Sequence, residues 1–320
     1  MVGPASSHEP TGAGVALLAV VVENGVTRLG LFHDGPAGTC GERGAGGSAG
    51  ENGLAAANGE NGPAGANGEN CPGAPLDATS APVATWELTT PVSLTADEAR
   101  CQLAQALWAM GAGTPFDSAL ACVVPQLTDV WARALAAPCG RRPLVVGPGV
   151  RSGIRMRYDD PAEVGADRVA NVVAARAFHG APVVVVGMGT STDFEVVDDD
   201  GAFVGGPIAP GMQLCGRALE RAAARLPMGE LRAPERVIAR STRCAVQAGV
   251  VLGQVALVDG LLDRIFDELG HEAPVVLTGA DAEGMAGLLA HDASVEPDLA
   301  LRGLAGIWAS NRGCERRARG

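Results

Sequence analysis

The sequence predicts an α/β fold built from two successive lobes of the same β-β-β-α-β-α order, with a cleft between them. Short β-branched runs alternate with longer helical patterns, which is the signature of mixed sheets with helices on their faces. The same order of elements occurs twice along the chain. A Gly-, Ala-, Asn- and Pro-rich stretch without apolar periodicity, roughly residues 34–82, interrupts the first copy and hides the duplication until it is set aside.

In the first copy, Val15–Glu23, Thr27–His33 and Val83–Leu88 predict three strands. A helix near Thr95–Met110, a strand at Ala119–Val124, a helix at Gln126–Ala136 and a strand at Leu144–Val146 follow. The second copy opens with strands at Val183–Gly187, Asp193–Val197 and Phe203–Ile208, the last two joined at Asp200-Gly201. It continues with helices at Met212–Arg225 and Arg243–Leu269 and a strand at Pro274–Thr278. Two such units predict duplicated ribonuclease-H-like lobes, an N-terminal one over 14–180 and a C-terminal one over 181–312. The stretch inserted in a hairpin connection of the N-terminal lobe repeats Gly-Glu-Asn at 50–52, 59–61 and 68–70, and too little apolar surface is available there to offset ordering entropy, so a disordered or loosely looped insertion is expected.

Composition narrows the function. The net charge is −12, which argues against a nucleic-acid partner. All 24 Lys and Arg residues are arginine, so P-loop, protein-kinase and Schiff-base lysines are excluded. A bound nucleotide has to be held by backbone amides, hydroxyls, arginine or a metal. Eight cysteines without a CxxC pair indicate neither zinc nor a disulfide framework, and no metal-ligating residues are assigned. No uncharged apolar run is long enough to span a bilayer, so no membrane partner is expected, and the absence of a basic leader points to the cytoplasm. Trp86, Trp108, Trp131 and Trp308 are expected in the core.

Two places carry chemistry. Arg157-Tyr-Asp-Asp-Pro161 leads into Gly165-Ala-Asp-Arg168 and a helix running to His179, so Asp167 and Arg168 fall where free helical N–H groups favour negative charge. The same pair also fits a plain helix-dipole complement with a solvated arginine. The turns Glu23-Asn24-Gly25-Val26-Thr27 and Gly187-Met188-Gly189-Thr190-Ser191-Thr192 occupy equivalent positions in the two copies. Their glycines allow close backbone approach and their hydroxyls suit phosphate oxygens, although either alone fits an ordinary hairpin.

Leu144-Val-Val-Gly-Pro-Gly-Val150, Arg157-Tyr-Asp-Asp-Pro161, Gly165-Ala-Asp-Arg-Val-Ala-Asn171, Gly205-Gly-Pro-Ile-Ala-Pro-Gly211 and Thr278-Gly279 together resemble the type III pantothenate kinase family. That family lies in the actin, Hsp70 and sugar-kinase superfamily and includes the Bvg accessory factor proteins. The resemblance extends to Ser241-Thr242 and to the ending Asp298–Gly306. It implies transfer of the ATP γ-phosphoryl group to the primary hydroxyl of pantothenate, giving 4'-phosphopantothenate, the first step of coenzyme A synthesis. Asp167 would then be the general base; Tyr158, Gly165, Ala166, Arg168 and Thr242 would hold pantothenate; Asn24, Gly25, Thr27, Gly189 and Thr190 would line the phosphates of ATP with Mg2+. It also implies a homodimer with pantothenate near the shared surface, in keeping with Ala245, Gly249 and Gly253 along one helix face.

The chain departs from the family at three points. The first-turn aspartate is replaced by Val21, with Glu23 two positions on and therefore on the same strand face. The aspartate that holds a monovalent cation, potassium or ammonium, is replaced by Gly187, so no such site of the family type is expected. Ala280 follows Thr278-Gly279 where a second glycine stands in the family. These changes gather on the nucleotide side, and they leave two readings: an active kinase with an altered ATP site, or an impaired relative that binds pantothenate or a similar ligand as a regulatory or interaction protein. A nicotinamide-binding fold suggested by Val145-Val-Gly-Pro-Gly149 lacks the third glycine and the helix that should follow it.

Overall fold

The computed structural model describes residues 15–33, 76–113, 115, 117–223 and 230–318. In the first lobe β1 (Val15–Val22), β2 (Val26–His33) and β3 (Ala84–Thr89) form an antiparallel meander, and β4 (Asp117–Cys122) and β5 (Leu144–Val145) extend it in parallel, giving the order β3-β2-β1-β4-β5. The side chains of β1 from Leu17 to Val22 are buried throughout, so this strand is covered on both faces. Alternate residues sort the two cores. Leu18, Val20 and Val22 pack on α1 (Ala96–Ala109) and α2 (Pro125–Cys139), whereas Leu17, Ala19 and Val21 face Ala166, Leu301 and Trp308. A Thr95/Glu98 capping box starts α1, and Gly140 in the left-handed region ends α2.

The second lobe repeats the plan. β7 (Val183–Met188), β8 (Ser191–Val197) and β9 (Ala202–Gly205) form the meander, and β11 (Val275–Thr278) and β12 (Ala293–Val295) lie parallel beyond β7. The path β9-β8-β7-β11-β12 matches that of the first sheet strand for strand. Val184, Val186 and Met188 bury against α5 (Thr242–Leu269), while Val183 and Val185 bury against α3 (Ala166–His179). Besides a 3-10 turn at Pro161–Glu163, five short or late elements were not anticipated: β6 (Arg155–Met156), which joins the second sheet beside β9, β10 (Ile208–Pro210), α6 (Ala282–Ala286), β12 and α7 (Leu299–Ala318). The expected strand Phe203–Ile208 is broken by Gly205 and Gly206 at φ 112° and 150°. A side chain on Gly206 would lie 2.1 Å from the Phe194 carbonyl oxygen, so only glycine lets the chain leave β9 and return along β8.

Helices α3 and α7 cross between the sheets. Their backbones meet without intervening side chains: a Cβ on Gly303 would fall 1.8 Å from the Ala170 carbonyl oxygen. Of the expected insertion, residues 34–75 lie outside the described residues, but 76–82 do not behave as a loose loop. Leu76 and Ala78 are buried, Ala78 directly against Gly306 of α7. Trp131 and Trp308 are core residues as expected, whereas Trp86 is 38% and Trp108 85% exposed. Each of the latter two sits on the outer side of its element, where helical or strand spacing alone does not separate it from a core position.

Candidate active site

The two hairpin turns face each other across the cleft. A Cβ on Gly25 would come within 3.0 Å of the Thr190 hydroxyl oxygen, so the first-lobe turn and the second-lobe turn are in contact. Between them a cavity is lined by Glu23, Asn24 and Arg28 from the first hairpin, Asp167 and Asn171 from α3, and Gly189, Thr190 and Asp193 from the second hairpin. Thr278 and Gly279 close its floor at the end of β11. Gly279, at φ 97°, packs so tightly on the Met188 carbonyl that a Cβ would sit 2.5 Å from its oxygen.

Asp167 lies in the first turn of α3, where its Oδ1 accepts the backbone N–H of Arg168 at 2.7 Å. Gly165 caps the helix because a Cβ there would be 2.5 Å from that same oxygen. The carboxylate therefore owes its place to the missing side chain two residues earlier. Burial raises the Asp167 pKa, and the neighbouring Asp193 charge adds to the rise against the opposing Arg168 hydrogen bond. A carboxylate shifted towards neutrality is a stronger base for an alcohol proton than an ordinary one.

Glu23 reaches the cleft that Val21 does not. Val21 is packed in the apolar layer with Ala121 and Ala166, while Glu23 emerges two residues later on the same face, at the strand end. Its pKa is raised to about 7, chiefly by burial, with Arg28 opposing and Asp167, Asp193 and Glu87 adding. Arg28 is itself committed to Glu87 at 3.3 Å and to the Pro297 carbonyl at 2.8 Å.

The remaining sequence-predicted residues divide sharply. Asn24, Gly189 and Thr190 line the cleft, and Gly25 abuts it. Thr27 does not line it: its buried hydroxyl bonds to that of Thr90 at 2.9 Å inside the sheet. Arg168 is only 7% exposed and turned into the second lobe, donating to Glu195 at 3.1 Å and to the Phe194 carbonyl at 2.6 Å. Its guanidinium stacks 5.4 Å over Phe203, whose ring is parallel to that of Tyr158 at 5.9 Å. Ala166 is buried at the α3 start. Thr242 is exposed at the first turn of α5, beside a separate groove lined by Arg232, Arg236, Arg240 and Arg243. Ala280 is exposed and outside the cleft lining.

Three polar residues escaped the sequence reading of the site. Asn171 is one helical turn beyond Asp167 and buried, and in the cleft wall its Oδ1 has no partner among the described residues. Asp193 and Glu195 alternate along β8, an i, i+2 pair of acids flanking Phe194 ahead of Val196 and Val197, and that pattern was the available signal. The profile of the type III pantothenate kinase family matches residues 76–264, more than half of the chain.

The chain belongs to the type III pantothenate kinase family.

Curated members of the family agree. It is 44% identical over 223 residues to the type III pantothenate kinase of Thermomicrobium roseum, covering 69% of this chain and 86% of that one. It is 41% identical to that of Roseiflexus sp. strain RS-1, over 72% of this chain and 91% of the other. Among solved structures, a Campylobacter jejuni Baf family protein superposes with a TM-score of 0.52 at 13% identity, covering 92% of this chain and 99% of its own, a likeness of fold. Kinases of this family use ATP with a divalent metal, and the cleft suits that pair. Its glycine turns admit phosphate oxygens to backbone N–H groups, and Glu23, Asp167 and Asp193 make it too acidic for a triphosphate without its cation.

Proposed function

We propose that this family member phosphorylates pantothenate with ATP to 4'-phosphopantothenate, and that Asp167 takes the hydroxyl proton. The placement of Asp167 at the cleft end of α3, opposite the Gly189-Thr190 turn, carries this reading. As the pantothenate oxygen bonds to the γ-phosphorus, its proton passes to the Asp167 carboxylate and the bond to the ADP oxygen breaks. Asn24, Gly25, Gly189 and Thr190 hold the phosphates, and Mg2+ arrives with them. The alternative of an impaired relative is weakened by Glu23, which returns a carboxylate to the cleft where Val21 removed one.

On the pantothenate side, Gly165 and Ala166 form the helix start and Tyr158 stacks on Phe203, while Arg168 holds Asp167 through its backbone N–H and braces the wall with its guanidinium. Gly187 has no side chain to offer a potassium or ammonium ion, so a monovalent site of the family type is not part of this reading. Purified protein mixed with ATP, Mg2+ and pantothenate in an ADP-coupled assay provides the test. Turnover above background supports the reading, and folded protein without turnover defeats it. Consumption of ATP suits a cytoplasmic location.

The same reading includes a homodimer. Thr242 lies away from the Asp167 cleft within one chain, while Ala245, Gly249 and Gly253 form an exposed small-residue stripe on α5. α5 is long and apolar enough to cross a membrane by length and composition, yet its inner face is built into the second-lobe core, leaving the outer face for a second copy. Its partner's α5 would bring Thr242 towards bound pantothenate.

A further inference from the structure

Glu195 is fully buried between β8 and α3. One carboxyl oxygen, Oε1, accepts from Arg168 Nε at 3.1 Å; the other, Oε2, finds no donor among the described residues. Asp193, two residues along β8 and therefore on the same face of the strand, presents its carboxyl to Glu195. Asp193 in turn sits across the hairpin from Gly187, and its oxygen would be only 2.9 Å from a Cβ placed there, so it leans over the glycine into the cleft. Ser191 Oγ donates to its Oδ1 at 3.1 Å.

We propose that Glu195 carries a proton on Oε2 and donates it to Asp193, making it a positioning residue that fixes Asp193 over Gly187 and Arg168 at the start of α3 at once. Two ionised carboxylates in contact repel, and a buried acceptor without a donor is costly; a single shared proton removes both penalties. The charged groups that face Glu195 are Asp193 on its own strand and Arg168 and Asp167 from α3. With Glu195 neutral they leave one uncompensated negative charge, and with it ionised they leave two. Burial and the Asp193 charge both press the Glu195 pKa upward, with Arg168 opposing. Gly187 completes the device, because any side chain there would displace the Asp193 carboxylate.

Glu195→Gln tests this, since a glutamine amide can donate to Asp193 and accept from Arg168 without titrating. Infrared difference spectra of wild type against Glu195→Gln at neutral pH are expected to contain a protonated-carboxyl stretch in the wild type that the variant lacks. This readout does not depend on kinase activity, so it separates failure of the inference from failure of the proposed function. The kinetic arm rests on that function: Glu195→Gln is expected to keep kcat/KM within about threefold. Its rate should also lack the decline with rising pH that the wild type shows as Glu195 ionises. Absence of the wild-type band, or a folded Glu195→Gln protein with kcat/KM lowered more than about tenfold, overturns the inference.

Discussion

Asp167 and Glu23 are both carboxylates at the cleft, yet their surroundings give them different work. Asp167 is anchored through the Arg168 N–H, and Asp167→Asn should lower kcat by about 10²–10⁴-fold while leaving the pantothenate Kd within about threefold, as measured by single-turnover kinetics and calorimetry. Because its pKa is raised, the rate should fall on the acid side as the base becomes protonated. Glu23 bears on stability instead. Its pKa rises from 4.5 unfolded to about 7 folded, so in that interval the native state binds the extra proton and stability declines as pH rises. The full shift corresponds to at most roughly 3 kcal/mol, lost by pH 7 and above. Melting of the ligand-free protein between about pH 5 and pH 8 should therefore drop less for Glu23→Gln than for wild type, and Glu23→Gln should be the more stable at the alkaline end. A Glu23→Gln protein that melts no higher than wild type there would reject this account. Glu23 was legible in the sequence from strand period alone, because two residues on means the same face. The inward turn of Arg168 was not, since nothing in Gly-Ala-Asp-Arg says which lobe a guanidinium will choose.

At the scale of elements, glycine positions decide how close the parts come. Gly165→Ala should push the Asp167 carboxylate out of line and cost about 10–100-fold in kcat with a small change in melting temperature, because the new methyl meets a side chain and no backbone. Gly303→Ala should do the reverse. Its methyl would collide with the α3 backbone, and a loss of about 3 kcal/mol or more, followed by urea unfolding, is expected. The long strands and helices were readable because their burial repeats with period 2 or 3.6 over many residues. β6, β10 and β12 have only two or three residues each, too few for any period, and exist because a neighbouring strand offers them hydrogen bonds. Trp108 has the apolar bulk of a core residue but lies at the end of α1, beyond the reach of the first sheet.

For the whole molecule, the repeated strand order explains why the site is where it is. Two identical meanders placed face to face bring their first turns together, and the duplication was visible once the Gly-Glu-Asn stretch was removed. The exposed stripe on α5 predicts the assembly. Gly253→Arg should convert the proposed dimer to a monomer in light scattering at a cost of no more than about 1 kcal/mol to the stability of the lobes, since among the described residues nothing of the same chain lies within 4 Å of a side chain at that position. A monomeric wild-type protein would remove the dimer from the proposal. The crossing of α3 on α7 has one more effect. Where Gly303 touches Ala170 the helices lack space for a methyl group, so they can swivel about that point but cannot slide past it. Closure of the lobes on a nucleotide would then have to turn about that contact, one helical turn from Asp167, rather than shift along it.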